Sequence, residues 1–304
     1  MDHAEIQKLL IKTSRSFALA ASLLPSSLRH QTTVAYLTLR IADTLQDATE
    51  WLPAQRIEAL KIFKRLLASD GNPAMTQVVS GHWVLASPCK SDPDMELLKK
   101  TALVLKEGQA LDLNLRNIIY HYAMQKVDGM IHLLTHTQDN NEIWLSDLKE
   151  LSHYCHVSAG IPVEMLTKIF ITAVPALHAA KNLLWPLAAR FGEGLKLTHI
   201  IKEAPQDRAE GRIYIPAGID EDEMIARARR SLQAAREYVE ILKSSHCPWS
   251  IISFCLLPLI LAEETLVALS CGNPGSPLSE EGVLAVYRRL QRQPHEPDKD
   301  RMAG

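Results

Sequence analysis

A chain of 304 residues with 47% hydrophobic content has enough apolar side chains to bury a large core. Its 33 basic and 35 acidic residues nearly cancel, and no block of five like charges interrupts them, which argues against a nucleic-acid partner. The five cysteines (Cys89, Cys155, Cys247, Cys255 and Cys271) are odd in number and lack a CxxC or zinc-type spacing, so neither a disulfide framework nor a structural zinc is expected and a reducing cytoplasm fits.

Apolar residues at helical spacing (Ile6, Leu9, Leu10, Phe17) predict a first helix over 4–22 that ends near Pro25. Helices over 28–48, from Pro53 to Ala68, and over 75–85 follow, separated by turns at 70–73 and 91–93. A long helical stretch over 94–136 is expected to break near 114–117. Another helix over 146–170 should kink at Pro162, because proline withholds a backbone donor and clashes with the preceding turn. Pro175, Pro186 and Pro205 bracket or bend the next helices, and 211–218 reads as a loop. An Arg/Ala-rich amphipathic helix over 221–244, a strongly apolar one over 251–270 and a short one over 279–292 complete the pattern.

Only 13 glycines and no run of short alternating segments exclude a sandwich, barrel or doubly wound sheet, so the fold class is all-α. No repeat or Ser/Gly linker divides the chain, which predicts one helical domain over 1–290 and a polar, disordered tail over 291–304. The N-terminal segment carries charges through its apolar stretch and does not read as a secretory signal. Residues 251–261, IISFCLLPLIL, are shorter than the ~20 residues that cross a bilayer, and a buried core helix is the expectation.

Two segments carry the chemistry. YLTLRIADTLQD (36–47) places Asp43 and Asp47 four residues apart, and KLTHIIKEAPQDRAEGRIYIP (196–216) does the same with Glu203 and Asp207. On a helix each pair projects from one face, forming a rack of oxygen ligands suited to Mg²⁺ shared with a substrate phosphate. Either spacing alone also fits an ordinary solvated helix face. Arg40 shares its face with Asp43, where it suits either phosphate oxygens or a simple ion pair with that aspartate.

Five ordered motifs give these racks a context: SRSF (14–17), YLTLRIADTLQD, YCHVSAG (154–160), HIIKEAPQDRAEGRIYIP (199–216) and FCLLPLILAEETL (254–266). Their order resembles that of the squalene/phytoene synthases over roughly 10–270, and looks closer to bacterial squalene synthases within that family. The resemblance implies an isoprenoid synthase helical bundle with a central cavity and both racks facing inward. It further implies head-to-head condensation of two farnesyl diphosphates, through a cyclopropyl diphosphate, to squalene or a related C30 hydrocarbon, with C40 phytoene as the longer variant.

The same resemblance assigns roles residue by residue. Asp43, Asp47, His199, Glu203 and Asp207 would hold Mg²⁺, with Mn²⁺ as substitute, while Ser14, Arg15, Phe17, Lys202, Arg212 and Tyr214 would bind the prenyl diphosphate. Tyr36, Arg40 and Tyr154 would be catalytic, the aromatic faces stabilising carbocations. NADPH would supply hydride if squalene is the product, although no GxGxxG follows a strand. The expected setting is cytoplasmic, with peripheral membrane association compatible with an insoluble product; the sequence leaves oligomeric state open.

The second rack departs from the family pattern Q-x-x-N-I-x-(R/K)-D-x-x-x-D. Lys196, His199 and Glu203 stand where Gln, Asn and Asp are usual, and Pro162-Val163 stands where Val-Gly is usual. Imidazole suits softer metals than Mg²⁺, and Lys196 adds a cation able to repel a metal or replace it. Two further readings therefore stand beside synthesis: ionisation of a prenyl diphosphate for cyclisation or transfer to another acceptor, and an inactive isoprenoid-binding homologue.

Overall fold

The computed structural model describes residues 3–135, 143–270 and 279–292. Of the tail expected over 291–304, Gln291 still belongs to a helix, and residues 293–304, together with His136 and Cys271, lie outside the described residues. The described chain is all-α apart from one two-residue ladder.

The first predicted helix is two. Ser14 accepts a hydrogen bond from the Phe17 amide at 3.3 Å, and this cap ends α1 (His3–Thr13) and starts α2 (Arg15–Ala21). Pro25 then leads into α3 (Ser26–Gln46), and Leu52 and Asn72 precede the N-terminal prolines of α4 (Pro53–Ala68) and α5 (Pro73–Leu85). The stretch expected to break near 114–117 instead breaks earlier and twice, giving α6 (Asp92–Lys99), α7 (Thr101–Gln109) and an uninterrupted α8 (Leu113–Thr135). Asp112 decides the second boundary, its carboxylate accepting from the amides of Asn114 and Leu115.

Pro162 acts through a changed helix type. Between α9 (Leu148–Cys155) and α10 (Ile161–Ala173) the turn His156–Gly160 is a π-helix, with the Ile161 amide reaching back to the His156 carbonyl. A short 3₁₀ turn, Pro175–His178, precedes the 29-residue α11 (Lys181–Ala209), which carries Pro186 and Pro205 inside it. The segment read as a loop contributes β2 (Arg212–Ile213), paired in parallel with β1 (Ile143–Trp144). The helices α12 (Glu221–Ser244), α13 (Trp249–Ser270) and α14 (Glu280–Gln291) follow the sequence expectation closely.

The helix α13 has 22 residues, so by length and composition it could cross a membrane, unlike the 11-residue apolar segment in its N-terminal half. One of its faces belongs to the protein interior, where Phe254, Cys255 and Leu257 are buried. Helices α11 and α12 pack along one another, with Gly194 admitting the Leu232 backbone: a Cβ there would stand 2.9 Å from the Leu232 nitrogen. The bundle encloses a cavity of about 370 Å³ walled by residues of α2, α3, α8, the π-turn, α10, α11, α12 and α13.

Candidate active site

The cavity is an apolar sleeve with a charged end. Phe17 stacks on Tyr36 at 4.1 Å, and Phe254 meets both Phe17 and Phe170 edge-on at 5.7 and 5.6 Å. Leu166, Ala159 and Leu261 add to the wall. Val157 and Ile161 are not part of the wall, and Val157 packs on Gly129. Gly160 serves the contact with α11, and Ala159 takes the lining position.

At the charged end stand Asp43 and a residue the sequence reading missed, Lys126. The lysine is only 1% exposed, pairs with Asp43 at 2.9 Å and donates to the Ser158 carbonyl at 3.0 Å. That carbonyl is available because residue 162, whose amide an α-helix would aim at it, is a proline. The sequence did hold a signal: Ile119, Tyr122, Ala123, Lys126, Val127 and Met130 form one buried stripe of α8, with a lysine in its middle.

Arg40 is turned towards a second unforeseen partner. It pairs with Asp94 at 3.0 Å, and Thr44 reaches the same oxygen at 3.4 Å. Burial works against its charge, but Asp43 and Asp94 outweigh that and hold the guanidinium protonated. Its Nε is buried without a hydrogen-bond partner among the described residues. Asp47 is solvent-reached at the end of α3, yet crowding by protein pushes its carboxyl up, and the charge of Asp43 adds to this.

Across from Asp47 lies an aromatic pair. Tyr154 and Tyr214 stack at 4.7 Å, and the Lys196 ammonium sits 4.9 Å from the first ring and 5.8 Å from the second. Lys196 is felt by Asp47 on α3 and by His199 on its own helix, so it stands electrically between the racks. Burial raises the phenols of Tyr154 and Tyr214, and that of Tyr36 as well, leaving all three protonated at neutral pH.

The second rack is arranged differently from the first. Glu203 is paired with Lys202 at 2.9 Å, which holds its carboxyl low, and Asp207 is paired with Arg212 at 2.7 Å. Arg212 also reaches Glu210 at 2.6 Å. Asp207, Arg212 and Tyr214 border a separate small crevice and do not line the main cavity. His199 is exposed, and its imidazole is lowered by desolvation and by Lys196.

Of the residues singled out in the sequence, Ser14, Phe17, Tyr36 and Asp43 thus line the cavity, and Asp47, Tyr154 and Tyr214 adjoin its charged end through Lys196. Arg15 is exposed and outside the cavity wall.

Asp43 and Asp47 offer the hard carboxylate oxygens that Mg²⁺ takes, but Asp43 already holds the Lys126 ammonium at 2.9 Å. His199, Glu203 and Asp207 do not fit such an ion, one being an imidazole and the others already ion-paired. Among the described residues, the one trio of metal-type ligand atoms within 4.8 Å of each other is elsewhere, at His3, His30 and Glu107. There the two imidazoles stack at 3.8 Å and 4°, which keeps their nitrogen lone pairs parallel rather than convergent. We read it as an ion-pair cluster around the buried Glu107.

The sequence profile of squalene/phytoene synthases matches residues 10–219. The chain belongs to the squalene/phytoene synthase family. Curated relatives include the squalene synthases of Schizosaccharomyces pombe, 24% identical over 86% of this chain and 58% of that one, and of Eremothecium gossypii, 25% identical over 88% and 62%. The chain therefore spans about three fifths of the length of these family members. In fold it is similar to a ligand complex of TcSQS, with a TM-score of 0.76 and 20% identity over 96% of this chain and 86% of that one. A dehydrosqualene synthase in complex with ligand gives 0.56 and 18% identity over 95% of both.

Proposed function

We propose that this family member ionises farnesyl diphosphate and joins it head to head with a second molecule, giving squalene or dehydrosqualene. The observation that carries the reading is the cavity itself: an aromatic, apolar sleeve ending at Asp43, with Arg40 and Asp47 beside it. A prenyl chain is apolar and its diphosphate is not, so a pocket with one dry and one charged end matches both halves of the substrate.

In the first step the C1–O bond of one molecule breaks and the electron pair leaves with diphosphate. The allylic cation alkylates the 2,3 double bond of the second molecule, and loss of a proton closes a cyclopropane. Were Mg²⁺ bound, Asp47 would hold it, with Asp43 if released from Lys126, and the ion would supply charge neutralisation to the leaving group. Arg40, fixed in its charged form, offers N–H donors to phosphate oxygens. Tyr36 and Tyr154 enter as neutral phenols able to donate O–H bonds, and Tyr36, which lines the cavity, sets its ring beside the cation, while the released proton goes to departing diphosphate. The aromatic wall keeps water from the cation.

A second reading, transfer of the prenyl cation to another acceptor or its cyclisation, is favoured by one observation, the ion-paired second rack. Incubation of the purified protein with farnesyl or geranylgeranyl diphosphate, Mg²⁺ and NADPH separates them. A C30 hydrocarbon supports the proposal, with squalene formed only when NADPH is present and dehydrosqualene without it; phytoene from the longer substrate would change the chain length assigned. A C15 product or adduct supports the second reading, and no release of diphosphate overturns both.

A further inference from the structure

We propose that Lys126 is a built-in cation of the diphosphate site, taking over at Asp43 work that a divalent ion does elsewhere, so that diphosphate binds here without metal. The inference rests on reading the cavity as a prenyl diphosphate site and goes beyond it by naming what holds the anion. Three observations carry it.

The first is position. Lys126 and Asp43 both border the cavity, and Ser158 borders it beside them, so the ammonium is buried from bulk water yet faces the space a ligand would fill. The second is fixation. An ammonium has three donors, of which Asp43 at 2.9 Å and the Ser158 carbonyl at 3.0 Å account for two. Pro162 makes the Ser158 carbonyl available, so the lysine and the proline form one device, built from a helix and the π-turn that faces it.

The third is the pattern of charge around it. Asp43 faces Lys126, Glu203 faces Lys202, Asp207 faces Arg212, and the carboxyl of Asp47 feels Lys196. Each acid of the two racks therefore has a cation from the protein itself. A cation 2.9 Å from a carboxylate oxygen disfavours Mg²⁺, which would sit about 2.0–2.1 Å from it. A diphosphate arriving at this end meets fixed ammonium groups able to exchange a carboxylate partner for a phosphate oxygen.

The test is calorimetric titration of the full chain with inorganic pyrophosphate, once in EDTA and once with Mg²⁺. The wild-type protein should bind in EDTA. Lys126→Met should bind about ten- to a hundredfold more weakly in EDTA, the loss of hydrogen bonds to a charged group, and Lys126→Arg should recover part of it. Because Lys126→Met strands Asp43, the paired variant Lys126→Met/Asp43→Asn is measured alongside, with circular dichroism and melting temperature checking its fold. Its binding in EDTA should also fall below wild type. Wild-type binding seen only with Mg²⁺ overturns the metal-free site while leaving the diphosphate reading intact. Binding in EDTA that both methionine variants retain overturns the role of Lys126. No binding under either condition overturns the diphosphate reading itself.

Discussion

Gly192 of α11 lies against the backbone of the π-turn so closely that a Cβ on it would stand 2.6 Å from the Gly160 nitrogen. No side chain fits there without moving the turn that presents Ser158 and Ala159 to the cavity. The helix–helix approach and the cavity wall are therefore one piece of geometry.

Gly192→Ala should destabilise the protein by about 1–3 kcal/mol through overpacking, despite the better helix propensity of alanine. Urea unfolding measures it. An unchanged midpoint would mean that the π-turn yields to α11 freely and that the contact does not shape the site.

Asp43 and Asp47 should separate stability from activity. Removing one partner of a buried pair leaves the other uncompensated, so Asp43→Asn, which strands the 1%-exposed Lys126, should cost about 3 kcal/mol. The carboxylate of Asp47 is disfavoured by the folded protein, its pKa being raised by crowding and by Asp43, so Asp47→Asn should melt no lower than wild type. Diphosphate release should nevertheless fall by about a hundredfold or more in both, the scale on which lost electrostatic stabilisation acts. Asp47→Asn with wild-type turnover would remove that residue from the site.

Much of this was legible in the sequence. The all-α class followed from 3.6-residue periodicity and scarce glycine, and Ser14, Phe17, Tyr36 and Asp43 were found because they sit in motifs read in order. Boundaries failed where a single polar side chain settled them: Ser14 splits the first helix, and Asp112 starts α8 before the expected break. Pro162 was noticed as a kink, but its consequence depends on a lysine 36 positions earlier in the chain, a contact no local pattern encodes. Asp94 escaped for the same reason, since its partner Arg40 is 54 residues away. Spacing identified the acids of the second rack, whereas the cations that face them, Lys202 and Arg212, were read as substrate ligands.

Stability should fall as pH is lowered below about 6.5. The imidazole of His30 is lowered by desolvation and by His3, with Glu107 opposing, and that of His153 by desolvation and by His132 and His156. His30 Nδ1 and His153 Nε2 are buried without hydrogen-bond partners among the described residues. A group whose folded pKa lies below its unfolded value binds more protons when unfolded, so stability is present above the unfolded value of 6.5 and is lost as pH falls through the folded one. His199 adds to the same trend. Melting temperature followed from pH 7.5 downwards checks it, and His30→Gln/His153→Gln should flatten the profile; an equal slope in the variant would place the pH dependence elsewhere.

The altered second rack yields the most discriminating comparison. If the lysines stand in for metal, giving the rack its usual family residues should move the site back towards metal dependence. Lys196→Gln removes the ammonium now lying over Tyr154 and Tyr214, and His199→Asn with Glu203→Asp restores hard oxygen donors in its place. The triple variant should bind Mg²⁺ more tightly than wild type in a titration followed by calorimetry, because a like charge has been removed and an oxygen ligand added. Its affinity for pyrophosphate in EDTA should fall, since one of the fixed cations is gone. Tighter Mg²⁺ with unchanged metal-free binding would confine the built-in cation to Lys126. Unchanged Mg²⁺ affinity would show that Lys202 and Arg212, by holding Glu203 and Asp207, keep this half of the site closed to metal whatever occupies positions 196 and 199.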